Sequence, residues 1–152
     1  MDVNKILKSN KPLALESKTI IHLMLVHQSI SEKTTEALKP FDVSIQQFNV
    51  LRILKGQNGK AANLSTLNER MVSKMSNTTR LVDKLILKDF VKRTVCEENR
   101  RKIEIFITKK GKEELLKMSN TMLAMEKELL KDVNTEDLIT LNKLLDKLNT
   151  DK

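Results

Sequence analysis

The apolar positions of this chain change their spacing along its length. Between 13 and 38, Leu13, Ile20, Ile21, Leu23, Met24, Val26 and Ile30 crowd one predicted helix. Pro40 closes that segment, because the residue before a proline is pushed away from helical backbone angles. A helix apolar over so much of its circumference needs more cover than one small lobe offers, and another protein chain is a natural source. A second helix starts at Ser44, where Ser44-Ile45-Gln46-Gln47 fits a capping box. Ile45, Phe48 and Leu51, joined by Ile53 and Leu54, form its inner face, and Gly56 and Gly59 end it. A short third helix runs over 64–71, with Leu64, Leu67 and Met71 inward at i, i+3, i+7. The fourth contains SKMSNTTRLVDKL (73–85). Met75, Thr78, Val82 and Leu85 face inward, while Ser76, Asn77, Arg80 and Lys84 make an outward row.

The period then drops to two. VKRTVC (91–96) and KIEIFI (102–107) read as strands, with Val91 and Val95 on one face and Ile103, Ile105 and Ile107 on another. EENRR (97–101) joins them as a hairpin tip carrying Arg100 and Arg101. Asp89 stands where the chain must reverse, and Asp tolerates the left-handed conformation better than most residues. Thr108 caps a fifth helix, with Glu113 and Glu114 in its early turns and Leu115, Leu116, Met118, Met122, Leu123, Met125, Leu129 and Leu130 along it. Thr135-Glu136-Asp137 opens a sixth, with Leu138, Leu141, Leu145 and Leu148 on one face. The expected fold is mainly α with a small β-hairpin wing. A winged helix-turn-helix (41–108) lies between dimerisation arms at 1–40 and 109–152, in one compact domain overall.

Composition narrows this reading. A chain of 152 residues has room for one sizeable core. With 3% aromatics and neither Trp nor Tyr, that core must be Leu, Ile, Val and Met, which favours helix on helix. Three Gly and two Pro leave little for the turns of an all-β fold. No apolar run reaches the ~18–20 residues of a membrane span. MDVNKILKSNKP has no signal-peptide apolar region, and the single Cys96 forms no internal disulfide. A cytoplasmic protein, off the membrane, is the expectation. The net charge of +8 is concentrated: Lys74–Lys112 holds 12 Lys and Arg against five acids. Such a surface points to a polyanion, nucleic acid first and an anionic membrane second, although charge alone also describes a solvated face.

The outward row gives that charge a chemistry. Arg pairs with guanine O6 and N7, and Asn with adenine N6 and N7, in a major groove that admits one helix. Residues at the N-terminal end of such a helix reach bases, and Ser73, Ser76, Asn77 and Arg80 occupy that end. In an isolated helix Ser and Asn could equally be caps, with Arg80 and Lys84 solvated. The basic hairpin beside the same helix shifts the balance toward duplex DNA, because a narrow minor groove attracts inserted Arg.

Several stretches in this order resemble the MarR-type winged-helix transcriptional regulators: SIQQFNVLRIL (44–54), LSTLNERM (64–71), TTRLVDKL (78–85), FVKR (90–93) and NRRKIEIFITKKG (99–111). The resemblance covers about 41–117, and the outer helices match by position and character. It implies a homodimer of two winged lobes on a palindromic operator, joined through the first and last two helices. Ser76, Asn77 and Arg80 would then read the major groove, and Lys74, Thr79 and Lys84 would contact phosphates. Arg101 would enter the minor groove, supported by Arg100. A small aromatic or phenolic effector between dimer helices and DNA lobe would release DNA, making the protein a repressor. Two positions depart from the family pattern. Asn99 stands where an Asp usually pairs with an Arg to stiffen the wing, and Asp89 stands where Gly is usual.

Other chemistry is sparse. Cys96 ends a strand near Glu97 and Glu98, which disfavours the thiolate an oxidation sensor needs, so a packing role is expected. His22 and His27 are five apart, poor spacing for a shared metal, and packing is expected of them too. Met118, Met122 and Met125 read as dimer core, with an effector pocket nearby as the alternative. No nucleophile–base pair, phosphate-binding glycine loop or metal-spaced cluster is apparent, so neither enzyme activity nor a cofactor is expected. Two rivals stand beside the DNA reading: a helical adaptor for an acidic protein surface, and an RNA-binding winged helix. The shortage of aromatics argues against the single-strand stacking the latter would use.

Overall fold

The computed structural model describes residues 6, 13–71, 77–95 and 103–148. Among the described residues six α-helices longer than one turn and a hairpin follow in order: α1 (Leu15–Leu38), α2 (Ile45–Gly56), α3 (Leu64–Arg70), α4 (Thr78–Leu87), β1 (Val91–Val95), β2 (Ile103–Ile107), α5 (Lys109–Leu129) and α6 (Thr135–Asp146). The core sits where α2, α3 and α4 meet the hairpin base and the first half of α5. Leu51, Leu54, Leu67, Val82, Leu85, Val91, Ile105, Leu115 and Met118 are all buried there.

Local chemistry explains the helix starts. At α2 the capping box is complete: the Gln47 N–H donates to Ser44 Oγ at 3.2 Å and the Ser44 N–H to Gln47 Oε1 at 2.9 Å. Asn63, Thr108 and Asn134 cap α3, α5 and α6 by accepting the N–H three residues on. The exit from α1 departs from expectation. Lys39, before Pro40, keeps helical angles, and a short 3-10 turn over Lys39–Phe41 carries the chain on until Asp42 reverses it at φ 49°. Proline's missing N–H ends the α pattern without ending the coil. At the end of α2, Gly56 is the last helical residue. The positive backbone angles fall on Asn58 and Gly59.

Two faces also differ from the sequence reading. Ile45 is exposed, because it lines an open cleft beside α1 rather than the core; Gln47 and Val50 are buried instead. In the hairpin, Val91 pairs with Ile107, Arg93 with Ile105 and Val95 with Ile103. Directly opposed residues share a sheet face, so these six lie on one face rather than two. Only its base is covered: Val91 and Ile105 are buried, whereas Val95 and Ile103 stand beyond the lobe and are exposed. A further contact, an antiparallel bridge from Ala62 to Ile105, ties the segment before α3 to the wing through bonds of 3.0 and 2.8 Å.

The arms are less covered. In the isolated chain Leu15, Ile20, Met24, Val26 and Ile30 of α1 are exposed, as are Leu116 and Leu123 of α5. No residue of α6 is buried, and Ile139, Leu141, Leu144 and Leu145 face outward. No helix among the described residues is long and apolar enough to cross a membrane.

Candidate nucleic-acid interface

α4 is an amphipathic helix with its two faces held apart by packing. Thr78, Val82 and Leu85 point into the core, while Asn77, Thr79, Arg80 and Lys84 are exposed. Asn77, Arg80 and Lys84 follow at i, i+3 and i+7, so they form one ridge. Asn77 occupies the N-cap position, yet its side chain makes no capping bond. Ser73, Lys74 and Ser76 lie outside the described residues, as do Cys96, Asn99, Arg100 and Arg101.

Three contacts fix the ridge in place. At its start, Thr78 Oγ1 donates to Asn68 Oδ1 of α3, closing the helix-turn-helix angle. Midway, Arg93 Nη2 of β1 donates to Asp83 Oδ1 at 2.8 Å, which sets the hairpin against α4. At its end, the Asp89 N–H reaches Ile86 O at 2.8 Å and the Phe90 N–H reaches Leu85 O at 3.0 Å. That pair of bonds is a Schellman motif, with Asp89 at φ 60° in the left-handed position. The left-handed conformation expected of Asp89 is therefore present, in the place where glycine would be least strained.

The start of α5 docks onto that turn. The Thr108 N–H donates to Phe90 O at 3.0 Å and Thr108 Oγ1 to Asp89 O at 2.7 Å. Gly111 is required here: a Cβ on it would lie 2.1 Å from Phe90 O and 2.9 Å from Ile107 Cγ1. Lys110 Nζ donates to Lys88 O at 3.0 Å, satisfying a carbonyl at the α4 terminus. Lys88 also pairs with Asp42, from the turn after α1. The hydrogen bond from Lys88 and its charge, with a contribution from Lys84, hold the Asp42 carboxyl below its ordinary value.

Sequence reasoning named the outward ridge but missed the residues that aim it: Asn68, Asp83 and Arg93. One signal was present. Asp83 is the only acid between Lys74 and Lys88, and an acid inside a phosphate-facing helix needs a reason. Arg93 belongs to the same basic stretch yet is engaged with Asp83, which leaves Arg80 and Lys84 as the exposed cations of α4. Among the described residues, no group of three or more His, Cys, Asp or Glu converges as a metal site would require.

Residues 43–103 match the model of the MarR family. The chain is 38% identical over 71 residues to YfiV of Bacillus subtilis, an uncharacterized HTH-type transcriptional regulator, covering 47% of this chain and 43% of that protein. It is 33% identical over 97 residues to SarZ of Staphylococcus aureus, an HTH-type transcriptional regulator, covering 63% and 64%. The chain thus spans less than two thirds of the length of these relatives. In shape it matches the organohalide-sensing transcriptional regulator RdhR-CbdbA1625 in its 2,4-dichlorophenol-bound form, with a TM-score of 0.81 at 21% identity over 91% of this chain and 85% of the other.

Proposed function

We propose that this chain is a homodimeric, sequence-specific regulator of transcription of the MarR type that binds duplex operator DNA, a reading supported by the match of residues 43–103 to the MarR-family model. The observation that carries the reading is the exposed Asn77–Arg80–Lys84 ridge on a helix fixed at its start, middle and end. A rigid ridge loses little freedom on entering a groove, so its contacts convert efficiently into affinity. Asn77 and Arg80, at the N-terminal end, read base edges, with Ser73 and Ser76 completing the row. Thr79, Lys84 and Lys74 contact phosphates, and Arg100 and Arg101 reach the minor groove.

Dimerisation follows from the arms. Exposed Leu, Ile and Met on α1, α5 and α6 form more apolar surface than a lone domain ordinarily leaves in water. A second copy covers it and sets two ridges one helical turn apart. An effector site suits the cleft of about 290 Å³ between α1 and the start of α2, lined by Ser31, Thr35, Val43, Ser44, Ile45 and Gln46. It lies at the junction of arm and lobe, where a bound molecule would change the angle between them. A small aromatic or phenolic compound fits its mixed lining, and release of DNA on binding makes the protein a repressor.

The division of roles is tested by two substitutions measured on several duplexes. Arg80→Ala is expected to cost roughly 1–3 kcal/mol on the preferred site and to relax base preference. Lys84→Ala is expected to weaken all sequences alike and to reduce the salt dependence by about one counterion. Identical behaviour of both variants across sequences would contradict the assignment.

A further inference from the structure

A second pair of cations lies away from the ridge. Arg52 of α2 and Arg70, the last residue of α3, line one open cleft of about 300 Å³ with Asn49, Ile53 and Gly56. Helix geometry gives the cleft its direction. At about 100° per residue, Asn68 lies one step round α3 from the buried Leu67, and Arg70 lies to the other side of it. Asn68 is the residue bonded to Thr78 at the start of α4, so Arg70 leaves α3 on the flank away from that contact. On α2, Asn49, Arg52, Ile53 and Gly56 fall at i, i+3, i+4 and i+7 and make one stripe toward the same cleft.

The Arg52 guanidinium is held 5.8 Å over the Phe48 ring. Among the described residues neither arginine pairs with a carboxylate. Glu69, next to Arg70 in the chain, instead accepts the Ser65 hydroxyl at 2.9 Å. Two guanidiniums brought to one cleft repel each other, and an anion between them turns that repulsion into attraction. Gly56 keeps the mouth clear, since nothing lies within 4 Å of where its Cβ would be.

We propose that Arg52, Arg70 and Asn49 form a binding site for a small free oxyanion, a phosphate or a carboxylate, separate from the DNA-facing ridge. The guanidinium forks match the paired oxygens of either group, the Asn49 amide supplies a further donor, and Ile53 shields one wall.

The test uses the full chain, labelled with ¹⁵N and held at constant ionic strength in chloride without DNA. Inorganic phosphate, then acetate, is titrated while the arginine Nε–Hε signals are followed. The expected result is that the Arg52 and Arg70 signals move along one saturable curve while those of Arg80 and Arg93 stay still. Arg52→Gln and Arg70→Gln should each weaken phosphate about tenfold or more. Arg52→Lys should recover only part of the loss, because the planar fork is gone. Linear shifts shared by all arginines, or unchanged affinity in Arg70→Gln, would overturn the site. So would a third result, in which both Gln variants weaken duplex DNA and lower its salt slope while free phosphate never saturates; the cleft would then serve the DNA backbone. Because the primary readout contains no DNA, its failure leaves the operator-binding reading untouched.

Discussion

The lobe and the arms use the same residue types to opposite ends. In the lobe, Leu51, Leu67, Val82, Leu85 and Ile105 are fully or almost fully enclosed by one another. In the arms, Leu15 is 75% exposed, Met24 is 65% exposed, and α6 buries nothing. Composition does not separate the two regions; position relative to a second layer does. An amphipathic helix is stable only when its apolar stripe meets a partner, and in α6 no residue is buried among those described. The lobe therefore encloses its own apolar surface, whereas the arms leave much of theirs exposed, and the proposed dimer would cover it.

The sharpest way to break this contrast is to charge the arm. Leu141→Asp is expected to weaken the proposed dimer by about 4 kcal/mol, taking roughly 2 kcal/mol per leucine removed from the interface of each subunit. Sedimentation velocity would show the smaller species, with the helical circular dichroism of the lobe kept. An unchanged dimer would mean that α6 lies outside the interface.

Within the lobe, two glycines make the converse comparison. Gly111→Ala places a methyl group against Phe90 O and is expected to cost about 3 kcal/mol in a urea titration. Gly56→Ala meets open space at the last residue of α2 and is expected to stabilise by about 0.5 kcal/mol, chiefly by restricting the unfolded chain. Equal effects would show that the α5 docking onto the Phe90 turn is not rigid.

A smaller gain is expected from Asp89→Gly. Asp89 sits in the left-handed position of the Schellman turn, with its charge at the negative end of α4. Removing both penalties should raise stability by about 0.5 kcal/mol, read as a shift in thermal midpoint.

The least effect belongs to Asp42→Asn. The folded carboxyl titrates below its ordinary value, so its pairing with Lys88 contributes above the unfolded pKa and is lost as pH falls through the folded one. The variant should be slightly less stable than the parent near neutrality and should match it in strong acid. A gap that widens on acidification would contradict the sign.

What could be read from the chain alone was what is local. Ser44 and Gln47 announce the start of α2 because both halves of the capping box lie within four residues. Thr108 and Asp89 were legible for the same reason: each answers a backbone need at its own position. The contacts that aim α4 join residues ten apart on different elements, Thr78 with Asn68 and Arg93 with Asp83, and no periodicity signals them. The hairpin faces were misassigned because two strands read separately carry no register, and register decides which side chains lie together. Ile45 shows the limit of periodicity itself, since a residue in phase with a buried face is exposed where that face opens on a cleft. Of the candidate site, Asn77, Thr79, Arg80 and Lys84 have a described setting. The other five site residues rest on the sequence pattern.

The α4 ridge is proposed to read bases as one half of a two-fold assembly. Selection of bound sites from a pool of random duplexes tests it most directly. The expected outcome is enrichment of an inverted repeat whose half-sites are centred about one helical turn, ~10 base pairs, apart. Recovery of no common motif, or of a single half-site without symmetry, would contradict it.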